Sequence, residues 1–255
     1  MSRWGFLASR RWAFFLLAVV LLTWLAWQLG QWQFHRLDDR RERNEIIQRN
    51  EALPPAPVAE VMAVDRPPAD DDQWRVVEAS GRYAVEETVV VRYRTRDGAP
   101  GVNAVVPLVL DDGSALLVDR GWWPTANRGE VPDDLPAPPD GEVTVTGWVR
   151  QDATGDSAEV TDQRTRAISS AAIGEALDRE LLSGFVALAS ETPAPEVPLE
   201  PAELPELDEG PHFFYGLQWW FFGAMAVFGF LYLLYDEWRD RRREAQEAAE
   251  RSEKY

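Results

Sequence analysis

The sequence predicts a membrane protein in which two transmembrane α-helices flank a β-rich (α+β) extracytoplasmic domain, a small barrel or sandwich. Two long apolar runs, with a region of short strands between them, support this fold class. The second run, Phe213–Tyr235, has 23 consecutive residues without a charged side chain. At about 1.5 Å per residue, such a helix crosses a hydrocarbon core of roughly 30 Å.

Changes in composition mark seven consecutive parts of the chain. The stretch at 35–50 has no glycine or proline, so we expect the first helix to continue beyond the membrane until Pro54 ends it. The predicted parts are a cytoplasmic N-terminus (1–11), transmembrane helix 1 (12–34), a helical extension and Pro-rich linker (35–71), the β-rich domain (72–190), a Pro/Glu-rich tether (191–211), transmembrane helix 2 (212–235) and a cytoplasmic tail (236–255).

The first apolar run, Trp12–Leu29, follows a short basic stretch, as the apolar part of a secretory signal peptide also does. The residues after it are large and polar, with Trp27, Gln28 and Trp32 close together, and they offer no small-x-small cleavage site. The sequence therefore predicts a retained membrane anchor.

Flanking charge predicts the orientation. Arg239 and the three arginines at 241–243 directly follow the second helix, and no Lys or Arg occurs at 180–212. The positive-inside rule then places both termini in the cytoplasm and residues 30–211 outside the cell membrane. The arginines after the first helix oppose this orientation, but acidic residues interrupt them, and the second helix has the clearer asymmetry.

Composition excludes several classes of function. Residues 36–211 carry 17 Arg and 36 Asp plus Glu, a net charge of −19, and such an acidic region should not bind nucleic acid. The absence of cysteine removes disulfides and thiolate chemistry. The sequence also has no G-x-S-x-G, Walker or H-E-x-x-H motif, so we do not expect an enzyme.

The region between the helices reads as mostly β-strand, because short segments rich in Val, Tyr and Trp alternate with turn residues. Asp111-Asp112-Gly113 predicts a hairpin, and Ser169 or Ser170 can cap a helix near Ile173. The predicted strands are 74–83, 87–94, 104–110, 115–123, 142–150 and a short strand beginning at Phe185.

Four motifs stand in order along the chain and resemble the surfeit locus protein 1 family (Shy1-like). They are LGQWQFHR at 29–36, VEASGRY at 77–83 with VPL at 106–108, LVDRGWWP at 117–124 and HFFYGLQW at 212–219. The resemblance covers nearly the whole chain, with a glycine at Gly216 where the family usually has alanine. It implies an assembly factor for haem-copper (aa3-type) cytochrome c oxidase that holds haem a transiently, or the haem-bearing subunit.

The resemblance implies a haem site at the second helix. His212 is the candidate iron ligand, since a neutral imidazole is a usual axial ligand of haem; an interfacial histidine facing water is the alternative. His35 is a second candidate, because both histidines should lie at the same membrane level. Tyr215 and Trp219 could hold a porphyrin face, although an aromatic belt explains them as well.

Two arginines are candidate partners for haem propionates, since a guanidinium binds carboxylates bidentately. Arg36 could instead extend to the interface at the helix end, and Arg120 could mark a strand end in the domain. The expected partners are oxidase subunit I, the haem a synthesis machinery and the lipid bilayer. Two alternatives stay open: a haem-free membrane module that docks on subunit I, and a general structural protein of the cell envelope.

Overall fold

The structure, a computed structural model, describes residues 9–126, 132 and 134–252; the predicted features at either extreme end of the chain lie outside these residues. It contains two compact units, one made of residues up to Arg43 together with those from Leu207 onward, the other of Asn44–Glu206. The helices are Arg10–Ala52 (α1), Val58–Val61 (α2), Ser170–Leu177 (α3) and His212–Ser252 (α4). The strands are Ala56–Pro57 (β1), Val76–Tyr83 (β2), Val89–Arg96 (β3), Ala99–Leu110 (β4), Ala115–Pro124 (β5), Val143–Arg150 (β6), Arg164–Thr165 (β7) and Phe185–Thr192 (β8).

In the first unit, α1 and α4 each contain a stretch long and apolar enough to cross a membrane. Only 17% of the most apolar window of α1, and 6% of that of α4, is buried within the protein. In water, each Å² of exposed apolar surface would cost about 25 cal/mol. These helices therefore have the surface of membrane segments, which confirms the predicted fold class.

Aromatic rings join α1 to α4 along their length, and the order of the contacts shows that the two helices are antiparallel. Trp27 stacks on Trp220 with centroids 5.2 Å apart and an interplanar angle of 7°. Trp220 also contacts Phe34 at 4.9 Å. Phe34 contacts Phe213 at 6.2 Å, and Phe15 contacts Phe230 at 5.4 Å.

Three glycines permit this close packing. A Cβ at Gly30 would overlap the ring of Trp220, and a Cβ at Gly216 would lie 2.8 Å from the ring of Phe34. A Cβ at Gly223 would lie 3.3 Å from that of Ala26. Small residues let membrane helices approach closely where no hydrophobic force draws them together. Gly216 and Gly223 thus serve helix packing.

We expect Gly30→Leu to destabilise the helix pair, because the new side chain must displace Trp220. Overpacking of this kind costs about 1–3 kcal/mol. Gly229→Leu is the matched control, since a Cβ at Gly229 meets nothing within 4 Å. Thermal unfolding in one detergent should show a lower Tm for the Gly30 variant only. Equal Tm values would contradict the packing described above.

In the second unit, five strands close into a barrel. β2 pairs with β6, β6 with β8, β8 with β5, β5 with β4, and β4 returns to β2. All of these pairs are antiparallel except β5 with β8. The sequence is compatible with either a barrel or a sandwich, and the β2–β4 pairing shows that the strands form a barrel.

The two faces of the barrel wall bury different clusters. The interior holds Val77, Leu108, Leu116, Val118 and Val186 among others. Alternate residues of β4 and β5, including Val105 and Leu117, point outward and pack with Val89 of β3 and Ile173 of α3. Ser169 caps α3, as predicted, and accepts a hydrogen bond from the Ala172 amide at 3.4 Å.

Two hairpins shape the long β3–β4–β5 meander. The predicted turn at Gly113 has φ +88°. A second turn at Asp97-Gly98, with φ of +50° and +79°, joins β3 to β4. The sequence analysis missed it and began β4 at Ala104, because Pro100 and Gly101 look like strand breakers.

Two segments outside the predicted β-rich domain (72–190) contribute to the barrel. Val58 and Met62, in the predicted Pro-rich linker, belong to the interior core. Within the predicted tether, Glu191 is in β8, and Glu200 exchanges two backbone hydrogen bonds with Trp122. The neighbouring Leu199 is 6% exposed. The expectation of a fully solvated tether is wrong there, because apolar and β-pairing residues interrupt its prolines.

Candidate functional site

The candidate site begins with the first residue of α4. His212 is half-buried, and its Nδ1 lies 2.8 Å from Oε1 of Gln33 on α1. An amide oxygen can only accept, so Nδ1 carries the hydrogen. The neutral imidazole then keeps its lone pair on Nε2. Metal-binding histidines are commonly oriented in this way, with the other ring nitrogen donating to a carbonyl oxygen.

A glycine leaves room beside the Nε2 atom. Gly210 has φ +64°, and a Cβ placed there would lie 3.6 Å from Nε2 of His212 and 3.9 Å from Cζ of Arg40. A side chain at this positive φ would be strained. Gly210 therefore turns the chain into α4, and Nε2 of His212 accepts no hydrogen bond from the residues that the structure describes.

Ion pairs fasten the segment before α4 to α1. Arg40 pairs with Asp208, and Nε of Arg41 lies 2.8 Å from Glu209. The hydrogen bond from Arg41 lowers the pKa of the Glu209 carboxyl, and the same contact raises the pKa of Arg41. Both pairs are half-exposed, so salt screens them. Their main effect is to fix the register between the two helices beside His212.

The structure does not bring His35 to His212. His35 is exposed and follows Gln33 by two residues, about 200° around the helix. Since Gln33 faces α4, the His35 side chain projects from the opposite side of α1. The expected pocket with both histidines on one iron is therefore not formed within one copy of the chain.

The remaining predicted site residues lie near His212 without forming a closed pocket. Tyr215 and Trp219 follow at i+3 and i+7, on the same face of α4. Tyr215 is 48% exposed, and Trp219 is half-buried against Phe222, 6.1 Å away. Arg36 is exposed and lies over the Trp32 ring at 5.8 Å. All three are accessible from the surroundings of the helix pair.

Arg120 has a structural role in the barrel. It is 2% exposed; its Nη2 lies 3.0 Å from Glu191, and its Nη1 donates to the carbonyl of Pro136. Tyr83 donates to the other Glu191 oxygen at 2.8 Å, and burial, followed by this carboxylate, raises the pKa of Tyr83. Arg120 sits at a bulge inside β5 rather than at a strand end, because Asp119 pairs with Val105 while Gly121 pairs with Ala104. Both Nη groups of Arg120 thus already have acceptors, while its Nε–H is buried without one.

Sequence reasoning missed Gln33, Gly210 and the paired role of Arg40. Gln33 stands in the quoted LGQWQFHR motif, and an amide at the end of an apolar helix needs a polar partner. That requirement could have identified Gln33 as part of a polar contact between the helices. Nor did sequence reasoning identify the role of Trp220, whose ring fills the space between the helices.

The chain combines two helices suited to a membrane, a closed five-stranded barrel between them in sequence, and an oriented histidine at the start of the second helix. These features define a membrane-associated barrel protein. A sequence model of the SURF1 family matches residues 20–224, and the chain belongs to this family. The resemblance drawn from the motifs is confirmed.

The relatives differ in how much of the chain they match. Uncharacterised SURF1-like proteins of Mycobacterium bovis and Mycobacterium tuberculosis are 31% identical over 250 residues, which covers 96% of this chain and 91% of each relative. The cytochrome oxidase assembly protein SHY1 of Saccharomyces cerevisiae is 26% identical over 99 residues. That alignment covers 38% of this chain and 25% of the yeast protein.

The contact with Gln33 predicts the tautomer of His212. With only two histidines in the chain, selective ¹⁵N labelling gives two imidazole signals, which His35→Ala assigns. We expect neutral His212 as the Nδ1–H form and exposed His35 as a mixture of both tautomers. Gln33→Leu should remove the Nδ1–H preference, while Gln31→Leu, two residues away, should keep it. Identical His212 spectra in the native and Gln33→Leu proteins would contradict the contact.

Proposed function

We propose that this protein is an assembly factor for haem-copper (aa3-type) cytochrome c oxidase, and that it holds haem a, or the haem-bearing subunit, during maturation. Its family and its similarity to a yeast protein named as a cytochrome oxidase assembly protein support the assembly role. The observation that carries the haem part is His212, with Nδ1 held by Gln33 and Nε2 without a hydrogen-bond partner in the described residues. Oxidase subunit I and the haem a synthesis machinery are the partners, and the protein has no turnover of its own.

The residues at the start of α4 fit a haem on the outside of the helix pair. Haem a supplies an iron that accepts an imidazole nitrogen as axial ligand, and Nε2 of His212 is suited to this role. Tyr215 and Trp219 offer aromatic surface on the same helix face, and Arg36 offers a guanidinium for a propionate. A porphyrin between the helices is disfavoured, because Phe34 and Trp220 fill that space.

One observation favours the haem-free docking module. Phe214, Phe221 and Phe228 are 73%, 61% and 69% exposed and recur every seven residues along α4. A seven-residue repeat keeps apolar side chains on one helix face, where a second helix can pack. A transmembrane helix of oxidase subunit I could lie along this phenylalanine stripe without any haem.

Both termini lie in the cytoplasm in this proposal, and the barrel lies outside the cell membrane. The arginines after α4 support this orientation, since an excess of positive charge marks the cytoplasmic side. Three acidic residues among and before these arginines, Asp236, Glu237 and Asp240, form ion pairs with Arg239 and Arg241. Acidic residues count little in the rule.

Cysteine labelling tests this orientation, because the chain has no cysteine of its own. Glu86→Cys places a thiol on an exposed loop of the barrel, and Ala248→Cys places one on exposed α4. In intact cells we expect a membrane-impermeant maleimide to label the first variant only, with the second labelled after lysis. Labelling of the Ala248 variant in intact cells would overturn the proposed orientation.

Deletion of the gene tests the assembly role. An oxidase assembly factor predicts a weaker haem a absorption band in the membranes, whereas a general envelope protein predicts an unchanged band. Complementation with the native chain and His35→Ala should restore the band, and His212→Ala should not. Full restoration by His212→Ala would exclude the ligand role and favour docking.

Purified protein separates haem holding from docking. In mild detergent, from cells that make haem a, the native chain and His35→Ala should show a Soret band that His212→Ala lacks. Haem adsorbed on apolar helix surface would persist in all three proteins. Replacing one interfacial imidazole opens no core cavity, so His212→Ala should keep the native Tm within a few degrees.

A further inference from the structure

The outer face of the barrel carries arginines that the proposed function does not use. Residues 72–190 contain 11 arginines and 20 acidic residues, so the domain as a whole is acidic. Yet Arg92, Arg94 and Arg96 occupy alternate positions of β3, and Arg150 ends β6. A local group of cations in an acidic domain is a specific feature of this face.

Arg94 and Arg150 lie on either side of a buried carboxylate. Arg94 pairs with Gly101 of β4, on the same strand face as Asn103. Nδ2 of Asn103 donates to both oxygens of Asp119 at 3.0 Å. Asp119 pairs with Ala187 of β8. Two residues away on the same face of β8, Phe185 pairs with Arg150 of β6, so Arg150 lies diagonally across from Asp119.

Asp119 lies near both arginines but forms no hydrogen bond with either in the described residues. Its oxygens already accept from Asn103 and from the Gly121 amide at 3.3 Å. In the part of the chain that the structure describes, neither Arg94 nor Arg150 forms an ion pair, and the Nε–H of each is buried without an acceptor. Burial lowers the pKa of Arg150; the charge of Asp119 opposes this shift, and the like charge of Arg94 adds to it. Two guanidiniums share one carboxylate, which leaves one positive charge without a matching carboxylate. The terminal Nη groups of both arginines also have no acceptor among the described residues.

An aromatic ring holds the guanidinium of Arg150 in place. Arg150 lies over the ring of Trp74, with Cζ 3.9 Å from the centroid. This stacking holds the guanidinium plane without using its hydrogen-bond donors. Such a preordered guanidinium can bind a carboxylate through two parallel hydrogen bonds.

The next arginine on β3 shows which kind of segment this strand binds. Arg96 contacts Glu200 at 3.1 Å and Glu203 at 3.7 Å, and its Nη2 donates to the Pro201 carbonyl at 2.7 Å. Glu200 and Glu203 belong to the Pro/Glu-rich segment of the same chain. An extended acidic stretch with proline therefore already lies against one end of the arginine row.

We propose that Arg94 and Arg150 form a binding site for carboxylate side chains of an extended acidic segment of a partner protein. The site goes beyond the proposed function, since it is in the barrel and needs neither His212 nor haem. Charge complementarity and the contacts of Arg96 select this occupant. A free oxyanion such as phosphate would use the same donors, and the experiment distinguishes the two.

The test uses the full-length chain in detergent and a short labelled peptide of alternating Pro and Glu, followed by fluorescence anisotropy. We expect binding to weaken at least about tenfold in Arg94→Gln and in Arg150→Gln, because a hydrogen bond to a charged group contributes about 1.5–3 kcal/mol. Arg82→Gln is the matched control: it removes the same charge from an exposed position of β2. It should bind like the native chain.

Further arms keep the proposal falsifiable. The same peptide with Gln in place of Glu should not bind, and Arg150→Lys should bind with intermediate affinity if Arg150→Gln lowers the Tm. Equal weakening in Arg82→Gln would reduce the site to general charge attraction and overturn the proposal. Binding of inorganic phosphate that depends on Arg94, without binding of the Glu peptide, would also overturn it.

Discussion

The close contact between α1 and α4 is the interaction on which the candidate site depends. Inside a bilayer, lipid tails solvate apolar side chains as well as another helix does, so close packing must hold the apolar part of the pair. Gly30 admits the ring of Trp220, and Gly216 admits Phe34. This fixes the helix register, and the register in turn places Gln33 opposite His212. A shift of one residue would rotate Gln33 by about 100° and leave the imidazole unoriented.

The barrel domain contains buried charged side chains, which need partners inside the fold. Arg120, Glu191 and Tyr83 satisfy one another at the bulge of β5, and removal of one partner from such a buried pair typically costs 3–5 kcal/mol. The group around Asp119 differs, because its two arginines lie near the carboxylate without forming a hydrogen bond to it. The first arrangement completes the fold, whereas the second leaves hydrogen-bond donors for a ligand.

The sequence predicts what local patterns determine. Uncharged length gives the two helices, alternation gives the main strands, and Gly113 and Ser169 mark a turn and a cap. Contacts between distant segments are not encoded in such patterns. The pairing of Arg120 with Glu191, the direction of His35 and the contact of Gln33 with His212 depend on strand order and helix register. Proline content also misled the prediction for residues near Glu200, since β-pairing with Trp122 outweighs it.

Disulfide formation between α1 and α4 tests the helix pair most directly. The chain has no cysteine, and a Cβ at Gly223 would lie 3.3 Å from that of Ala26, close to the spacing of a disulfide. The account predicts that the double variant Ala26→Cys, Gly223→Cys forms an intramolecular disulfide in native membranes, whereas Ala26→Cys with Gly229→Cys stays reduced under the same oxidation. Equal crosslinking of both variants, or of neither, would contradict the register that orients His212.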